Sequence, residues 1–344
     1  MLFCLIAKKQ RKKHIHHHTN VQTLNQYLSK GDQKKMKRLV KGFAVSLLGL
    51  SMLVGCTTQA PGTGDKAAGD KKEQITVGLA ISTQSNPFFV TLKEGAEKAA
   101  QENNIKLVTV DAQDDPAKQI SGIEDLIQRQ VDVILVNPTD SAAVVSAIKS
   151  ANHANIPVIT VDRSAEGGEV VSHVASDNVE GGRMAAKYLL EKIGKQGNIV
   201  ELEGIPGSSA ARERGKGFHE IIDKEKGVKV VAKQPADFDR AKGMSVMENI
   251  LQGNKDIKAV FAHNDEMALG ALKAIQAAGL KDVVVVGFDA TDDAVAAVKE
   301  GRMSATVAQK PELIGKQAVE LAKKVANGEK VEKNVPVELE LIKK

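Results

Sequence analysis

From residue 74 onward one pattern repeats along the chain: an apolar run of five to seven residues, a polar loop, then an amphipathic stretch. Nearly continuous apolar runs belong to strands covered on both faces. Strands separated by helices pair in parallel, because the crossover helix brings the chain back to the same sheet. The runs fall at 75–81, 106–110, 131–136, 157–161 and 169–174, then at 198–202, 228–232, 258–262, 283–287 and 303–308. Helices are expected over 90–96, 116–128, 140–151, 181–193, 209–223, 240–251, 265–278, 292–299 and 311–326. In the second of these, Ile120, Ile123, Leu126 and Ile127 share one face. One series ends at 169–174 and a second begins at Asp177. The expected fold is α/β, with two doubly wound parallel-sheet lobes of similar size and a cleft between their strand ends.

In open α/β sheets, ligands bind outside the carboxyl ends of the strands. The residues just past each run are therefore the candidate site. Asn86, Phe88 and Phe89 follow the first run, Asn137 the third, and Asp162 and Arg163 the fourth. In the second series, Arg214 lies early in the helix after 198–202, and Phe238 in the loop after 228–232. Asn264, Asp289 and Gln309 follow the last three runs. Taken singly, Asn137, Asn264 and Asp289 are also ordinary cap and turn residues, and Phe88 and Phe89 ordinary core. Together they are harder to assign to chance, since residues 56–344 hold six Phe and three stand at ligand-facing loops. Phe261 and Phe288, inside or beside strands, read as core. Asn, Gln, Asp and Arg supply paired donors and acceptors suited to vicinal hydroxyls, and Phe rings suit the C–H faces of a sugar. Asp162 and Asp289 offset Arg163 and Arg214, which fits a small, neutral, polyhydroxylated ligand.

Other functions find little support. The chain has 48 Lys+Arg and 43 Asp+Glu, but residues 1–55 hold 11 of the bases and one acid, Asp32, so residues 56–344 are net −5. That charge argues against a nucleic-acid surface. A transcription regulator would need a DNA-binding helix pair at the amino terminus, where a different signal stands. Gly204–Ser209 could cradle phosphate at a helix start but lacks the Gly-Lys-Ser/Thr ending of a P-loop. No nucleophile with a base, no H-E-x-x-H and no paired catalytic carboxylates are seen, so no enzyme activity and no cofactor are expected. His263, beside Asn264, reads as structural. Arg212 and Glu213 read as a solvated helix face.

The amino-terminal part has its own logic. Met36–Lys41 is a charged start, Gly42–Val54 a short apolar run, and Leu53-Val54-Gly55-Cys56 closes it. This is the pattern of a secretory signal peptide over 36–55. Its last four residues resemble the lipobox of bacterial lipoproteins, which implies cleavage before Cys56 and lipidation of its thiol. Residues 56–73, rich in Gly, Ala, Thr, Asp and Lys, read as a flexible tether. Residues 1–35 precede the signal and are expected to be a mis-assigned upstream extension; the histidines at 14 and 16–18 lie there and are not expected to bind metal. Cys4 and Cys56 are the only cysteines, so no disulfide is expected in the exported part.

Seven motifs, in order, carry a resemblance: Asn86-Pro87-Phe88-Phe89, Asn137-Pro138-Thr139-Asp140, Ile159–Arg163, Ser209–Gly215, Gln234–Arg240, Asn264–Ala268 and Val286–Asp289. They resemble the D-ribose-binding proteins of ABC importers over nearly all of 74–344. The resemblance implies the type I periplasmic-binding-protein fold, with a three-segment hinge. Lobe one would be 74–176 plus 310–338, and lobe two 177–309 plus 339–344. It implies sugar contacts from Asn86, Phe88, Phe89, Asn137, Asp162, Arg163, Arg214, Phe238, Asn264, Asp289 and Gln309. The partners it implies are D-ribose or a related monosaccharide (allose, another pentose or hexose, or a furanosyl signal molecule) and the permease subunits. A monomer is expected. The lipobox departs from the soluble periplasmic members and implies a lipid anchor on the outer face of the cell membrane, in a Gram-positive setting. Ala290 stands where such proteins often have Gly.

Overall fold

The computed structural model describes residues 74–344. The segment 1–35, the signal peptide expected at 36–55, and Cys56 with the tether expected to residue 73 lie outside the described residues.

Two six-stranded sheets form the frame. The first takes β1 (Thr76–Ile81), β2 (Lys106–Asp111), β3 (Val133–Val136), β4 (Val158–Val161), β5 (Ser172–Ser176) and β11 (Asn334–Val337), in the order β11-β5-β4-β3-β1-β2. The second takes β6 (Gly197–Glu203), β7 (Val228–Pro235), β8 (Ala259–Ala262), β9 (Val284–Asp289), β10 (Ala305–Ala308) and β12 (Glu340–Lys343), in the order β12-β10-β9-β8-β6-β7. The chain passes between the sheets three times: after β5, after β10 and after β11. The parallel pairing foreseen from the apolar runs holds for every strand pair but one, since β12 runs antiparallel to β10, with Thr306 opposite Ile342. The short edge strands β11 and β12 are too polar and too brief to show as apolar runs. Elsewhere the boundaries shift by a few residues; the third helix begins at Val145 instead of Asp140 because residues 141–144 form turns.

Nine helices cover the sheets among the described residues: α1 (Pro87–Glu102), α2 (Pro116–Gln128), α3 (Val145–His153), α4 (Asn178–Lys192), α5 (Ser209–Ile222), α6 (Arg240–Gly253), α7 (Asp265–Ala277), α8 (Asp292–Lys299) and α9 (Pro311–Ala326). Their starts are written locally. Asp115 accepts from the Ala117 and Lys118 amides with Pro116 in the first turn, and Asp239 accepts from the Lys242 amide. Each sheet has a core on both faces. Leu79, Leu92, Leu135 and Ile314 lie on one side of the first sheet, and Ile123, Leu126, Ile134 and Ile148 on the other. In lobe two, Met247, Val260 and Met267 pack on one side, and Phe218, Phe261 and Phe288 on the other. Each of those rings is fully buried, a contribution of about 1.5–3 kcal/mol apiece.

Close helix pairs fix where the site residues stand. α4 lies so near α5 that a Cβ on Gly182 would strike the carbonyl of Arg214, and one on Gly217 the carbonyl of Val179. Gly182→Ala would push the helix that carries Arg214 off its bed, at a cost of about 1–3 kcal/mol.

Candidate ligand-binding site

In lobe one, β1 runs into a loop that ends at Asn86, the N-cap of α1. Its Oδ1 accepts the Phe88 amide at 3.0 Å, and Pro87 opens the helix. This cap sets Phe88 and Phe89 in the first turn, both buried, their rings edge to face with centroids 5.2 Å apart. At the end of β4, Asp162 adopts a left-handed backbone (φ 63°) and Arg163 follows. Asn137, at the end of β3, ties these pieces together. Its Oδ1 accepts the Ser82 amide at 3.1 Å, and its Nδ2 donates to the Val161 carbonyl at 3.0 Å and to Asp162 Oδ2 at 3.3 Å.

In lobe two, Arg214 lies one and a half turns into α5. Its Nε donates to Asn178 Oδ1 at 2.9 Å and its Nη1 to the His263 carbonyl at 2.6 Å. Its guanidinium sits 3.8 Å from the centre of the Phe288 ring. Asn264 caps α7, accepting from the Met267 amide at 3.0 Å, while its Nδ2 donates to the Phe238 carbonyl at 3.2 Å. Phe238 is itself left-handed (φ 61°), as is Asp289 (φ 112°) at the end of β9. Backbone of this kind is costly outside glycine and gathers where function holds it. Gln309 Nε2 donates to Asp289 Oδ1 at 2.9 Å.

The two lobes bring these groups around one small, tightly closed cavity, lined by Asn86, Phe88, Phe89, Asp162, Arg163, Ala210, Arg214, Phe238, Asn264 and Asp289. Nine of the eleven residues singled out in the sequence line it. Asn137 and Gln309 do not; they meet it through the carboxylates they hold. Arg163 spans the cleft, its guanidinium 4.9 Å from the Phe89 ring and 5.1 Å from that of Phe238. Around the rim the lobes touch directly. The Ser141 amide donates to the Gly207 carbonyl at 2.9 Å, the Ser164 amide to Ser209 Oγ at 2.9 Å, and Arg212 Nη2 to Glu166 Oε1 at 2.8 Å.

Dry surroundings dominate the electrostatics. Burial pushes the Asp289 carboxyl up to about 7, against the pull of Arg214 3.5 Å away and of Gln309. Burial also raises Asp162, with Arg163 and Arg214 opposing, and it lowers Arg163. Desolvation thus outweighs pairing at both carboxylates. Three buried polar atoms in this cluster have no hydrogen-bond partner: Asp162 Oδ1, Arg163 Nε and Gln309 Oε1. Buried polar atoms are nearly always paired, so unpaired ones beside a cavity point to a hydrogen-bonding ligand. Among the described residues, no group of three or more His, Cys, Asp or Glu side chains is placed to hold a metal ion.

Sequence reasoning missed the supports. Asn178 anchors Arg214 from the first turn after the first crossing between sheets, and no local motif marks it. Glu201, fully buried inside β6, accepts from His263 Nε2 at 3.0 Å and from His219 Nε2 at 2.8 Å. A charged residue within an apolar run was the available signal. With the Gly204 amide facing its Nδ1 at 3.4 Å, His263 is a structural residue, as its isolation in the sequence suggested. Arg212 and Glu213 are more than a solvated face. Arg212 reaches Glu166 of lobe one, and Glu213 accepts from Asn178 at 3.2 Å, because α5 faces both the cleft and α4.

A family profile described as "Periplasmic binding protein domain" matches residues 77–330. The chain belongs to that family. Within this periplasmic binding protein family, the chain is 53% identical over 306 residues to the ribose import binding protein RbsB of Bacillus subtilis, covering 89% of this chain and 99% of that one. It is 54% identical over 269 residues to the ribose import binding protein RbsB of Escherichia coli, with 78% and 90% covered. Among solved structures, an ABC transporter solute binding protein from Bacillus halodurans with bound myo-inositol superposes at TM-score 0.75 and 35% identity, over 78% of this chain and 94% of that one. A periplasmic solute binding protein from Actinobacillus succinogenes with bound D-allose gives 0.73 and 33%, over 78% and 98%.

Proposed function

We propose that this protein captures D-ribose between its two lobes and delivers it to an ABC permease outside the cytoplasm. The observation that carries the reading is the composition of the shared cavity. Each lobe gives it one carboxylate, one guanidinium and aromatic surface, and two of its lining residues, Asp162 and Arg163, each hold a buried polar atom without a hydrogen-bond partner. That set matches a small uncharged polyol, and relatives at 53% and 54% identity are named for ribose import.

Sugar enters between open lobes. Phe88, Phe89 and Phe238 cover its C–H faces, while Asn86, Asp162 and Arg163 from lobe one and Arg214, Asn264 and Asp289 from lobe two take its hydroxyls. Asn137 and Gln309 aim the two carboxylates. Ligand favours closure only to the extent that it contacts both lobes at once, and here each lobe holds half of the polar groups. The permease reads the closed form. The sugar is bound and passed on chemically unchanged.

A thermal-shift panel of pentoses, hexoses and polyols, followed by calorimetry, tests this. Specific binding raises the melting temperature by mass action, and ribose is expected to give the largest rise. A larger rise with allose or myo-inositol, and none with ribose, would transfer the assignment to that sugar. Recovering the sugar unaltered after incubation separates binding from catalysis.

The finer placement is part of the same proposal. Cys56 is lipidated after cleavage of residues 36–55, and the tether holds a monomeric binding unit on the outer face of a Gram-positive cell membrane. Residues 1–35 are not translated in this scheme. Expression of Cys56→Ser in a Bacillus host is expected to move the protein from the membrane fraction to the medium. Retention of that variant on the membrane overturns the anchor.

A further inference from the structure

The corner after β9 is costly to build. Asp289 and Ala290 are both left-handed, with φ of 112° and 55°, in a segment without glycine until Gly301. Such backbone persists only where surrounding contacts over-determine it. The contacts here converge on Asp265, the first residue of α7, which is fully buried and lines none of the cavity just described. Asp265 Oδ2 accepts the Thr291 amide at 2.8 Å and the Thr291 hydroxyl at 3.3 Å. Its Oδ1 accepts the Thr306 hydroxyl at 2.7 Å, and the same Thr306 oxygen accepts the Ala290 amide at 3.2 Å. Thr306 stands opposite Gly287 in the β9–β10 ladder, and a Cβ on Gly287 would strike Asp265 Oδ1. One carboxylate therefore reaches the amide of residue 291 directly and that of 290 through a hydroxyl. Those are the two amides that follow Asp289.

We propose that Asp265, acting through Thr306, is the positioning residue that holds Asp289 in its ligand-facing geometry, so that sugar affinity depends on a pair of side chains that never touch the sugar. The inference rests on the ribose reading for its ligand but not for its geometry. An amide withdrawn from a buried acceptor leaves the corner free to relax toward ordinary backbone, and the Asp289 carboxylate swings away from its place beside Arg214. Asp289 is thereby pre-set at no cost to the binding event.

Calorimetry with D-ribose, on full-length variants kept at least 15 °C below their own melting temperatures, tests the idea. Thr306→Val keeps the shape and removes the hydroxyl; it is expected to weaken binding about tenfold or more. Thr306→Ser keeps the hydroxyl and is expected to stay within about threefold of wild type. Asp265→Asn is expected to match Thr306→Val. Adding Ala290→Gly, which takes a left-handed backbone without strain, is expected to recover part of the lost affinity. Hydrogen exchange at the Ala290 and Thr291 amides should rise in Thr306→Val without sugar present. Wild-type affinity in Thr306→Val, or equal losses in Thr306→Val and Thr306→Ser, overturns the inference. If Asp265→Asn does not fold, the threonine pair still decides. Wild type that binds another sugar of the panel in place of ribose displaces the ribose reading alone, and the series is then run with that sugar. Wild type that binds no sugar overturns both.

Discussion

The two arginines of the cleft have the same charge and nearly the same burial, yet they are held in different ways. Arg214 of lobe two is fixed by its own lobe: Asn178 Oδ1 and the His263 carbonyl accept its hydrogen bonds, and the Phe288 ring lies beneath it. Arg163 of lobe one makes one long hydrogen bond, to the Pro138 carbonyl at 3.3 Å, and its Nε has none. Its remaining company is Asp162 and two aromatic rings, one of which belongs to the other lobe. The difference teaches that the halves of the site are not equivalent. Lobe two presents a finished template, and lobe one presents groups whose places are completed only when Phe238 arrives.

Arg214→Met attacks the template and should have the largest effect. It strips charged hydrogen bonds from the ligand and leaves Asp289 buried without its counter-charge. Ribose affinity is expected to fall about 100- to 1,000-fold, with a stability loss of roughly 3–5 kcal/mol. Calorimetry and urea unfolding read the two quantities.

Next comes the acid partner of that template. The Asp289 carboxyl lies at about 7 in the fold, above its ordinary 3.8. A carboxyl raised in this way favours the fold at pH below its unfolded value, and that contribution is lost as pH climbs through about 7. Without sugar, the protein should therefore lose stability between pH 4 and pH 7.5 on this account, by up to roughly 4 kcal/mol. Burial raises Asp162 and Asp265 as well, so the informative quantity is the difference between wild type and Asp289→Asn. Melting curves across that range should show a shallower decline in the variant, and parallel curves would count against the assignment. Ribose affinity should rise over the same interval, as the carboxylate becomes an acceptor on both oxygens.

Arg163→Met probes the looser half. Affinity is expected to fall about tenfold, with a smaller drop in melting temperature than Arg214→Met gives. Equal drops in the two variants would erase the distinction between the lobes. Smallest of all is the rim. Arg212 and Glu166 are both exposed, and such pairs contribute at most about 1 kcal/mol. Glu166→Gln should weaken ribose binding by no more than about threefold, by favouring the open form, and raised salt should reproduce it in wild type.

The sequence carried the alternation of strands and helices because apolar runs and amphipathic stretches are local properties. Helices α2, α8 and α9 run as expected from end to end. It also carried which residues gather around the shared cavity, since strand ends can be counted off along the chain and the seven motifs sit on them. What it could not carry was division of labour. Asn137 and Asn86 look alike on the page, yet one is spent inside the wall and the other lines the cavity. Nothing near Arg214 in the chain announces Asn178 or Phe288, which meet it only through the α4–α5 crossing. Phe288 reads as core, and it is, but its face is also the bed of an arginine. Left-handed backbone at Asp162, Phe238 and Asp289 is invisible to composition, because none of the three is glycine. The edge strands escaped notice because an edge needs only main-chain hydrogen bonds.

Those edge strands set the order in which the molecule can be made. β11 and β12 supply the edge strand of each sheet from residues 334–343, after the ten other strands have been made. Until they emerge from the ribosome, β5 and β10 have unpaired rims, open to any passing strand. Neither lobe is complete before residue 334 has been made, and a chain cut just ahead of it should be left with two sticky borders. The borders of both lobes are thus closed by one short segment, far along the sequence from the loops that line the cavity.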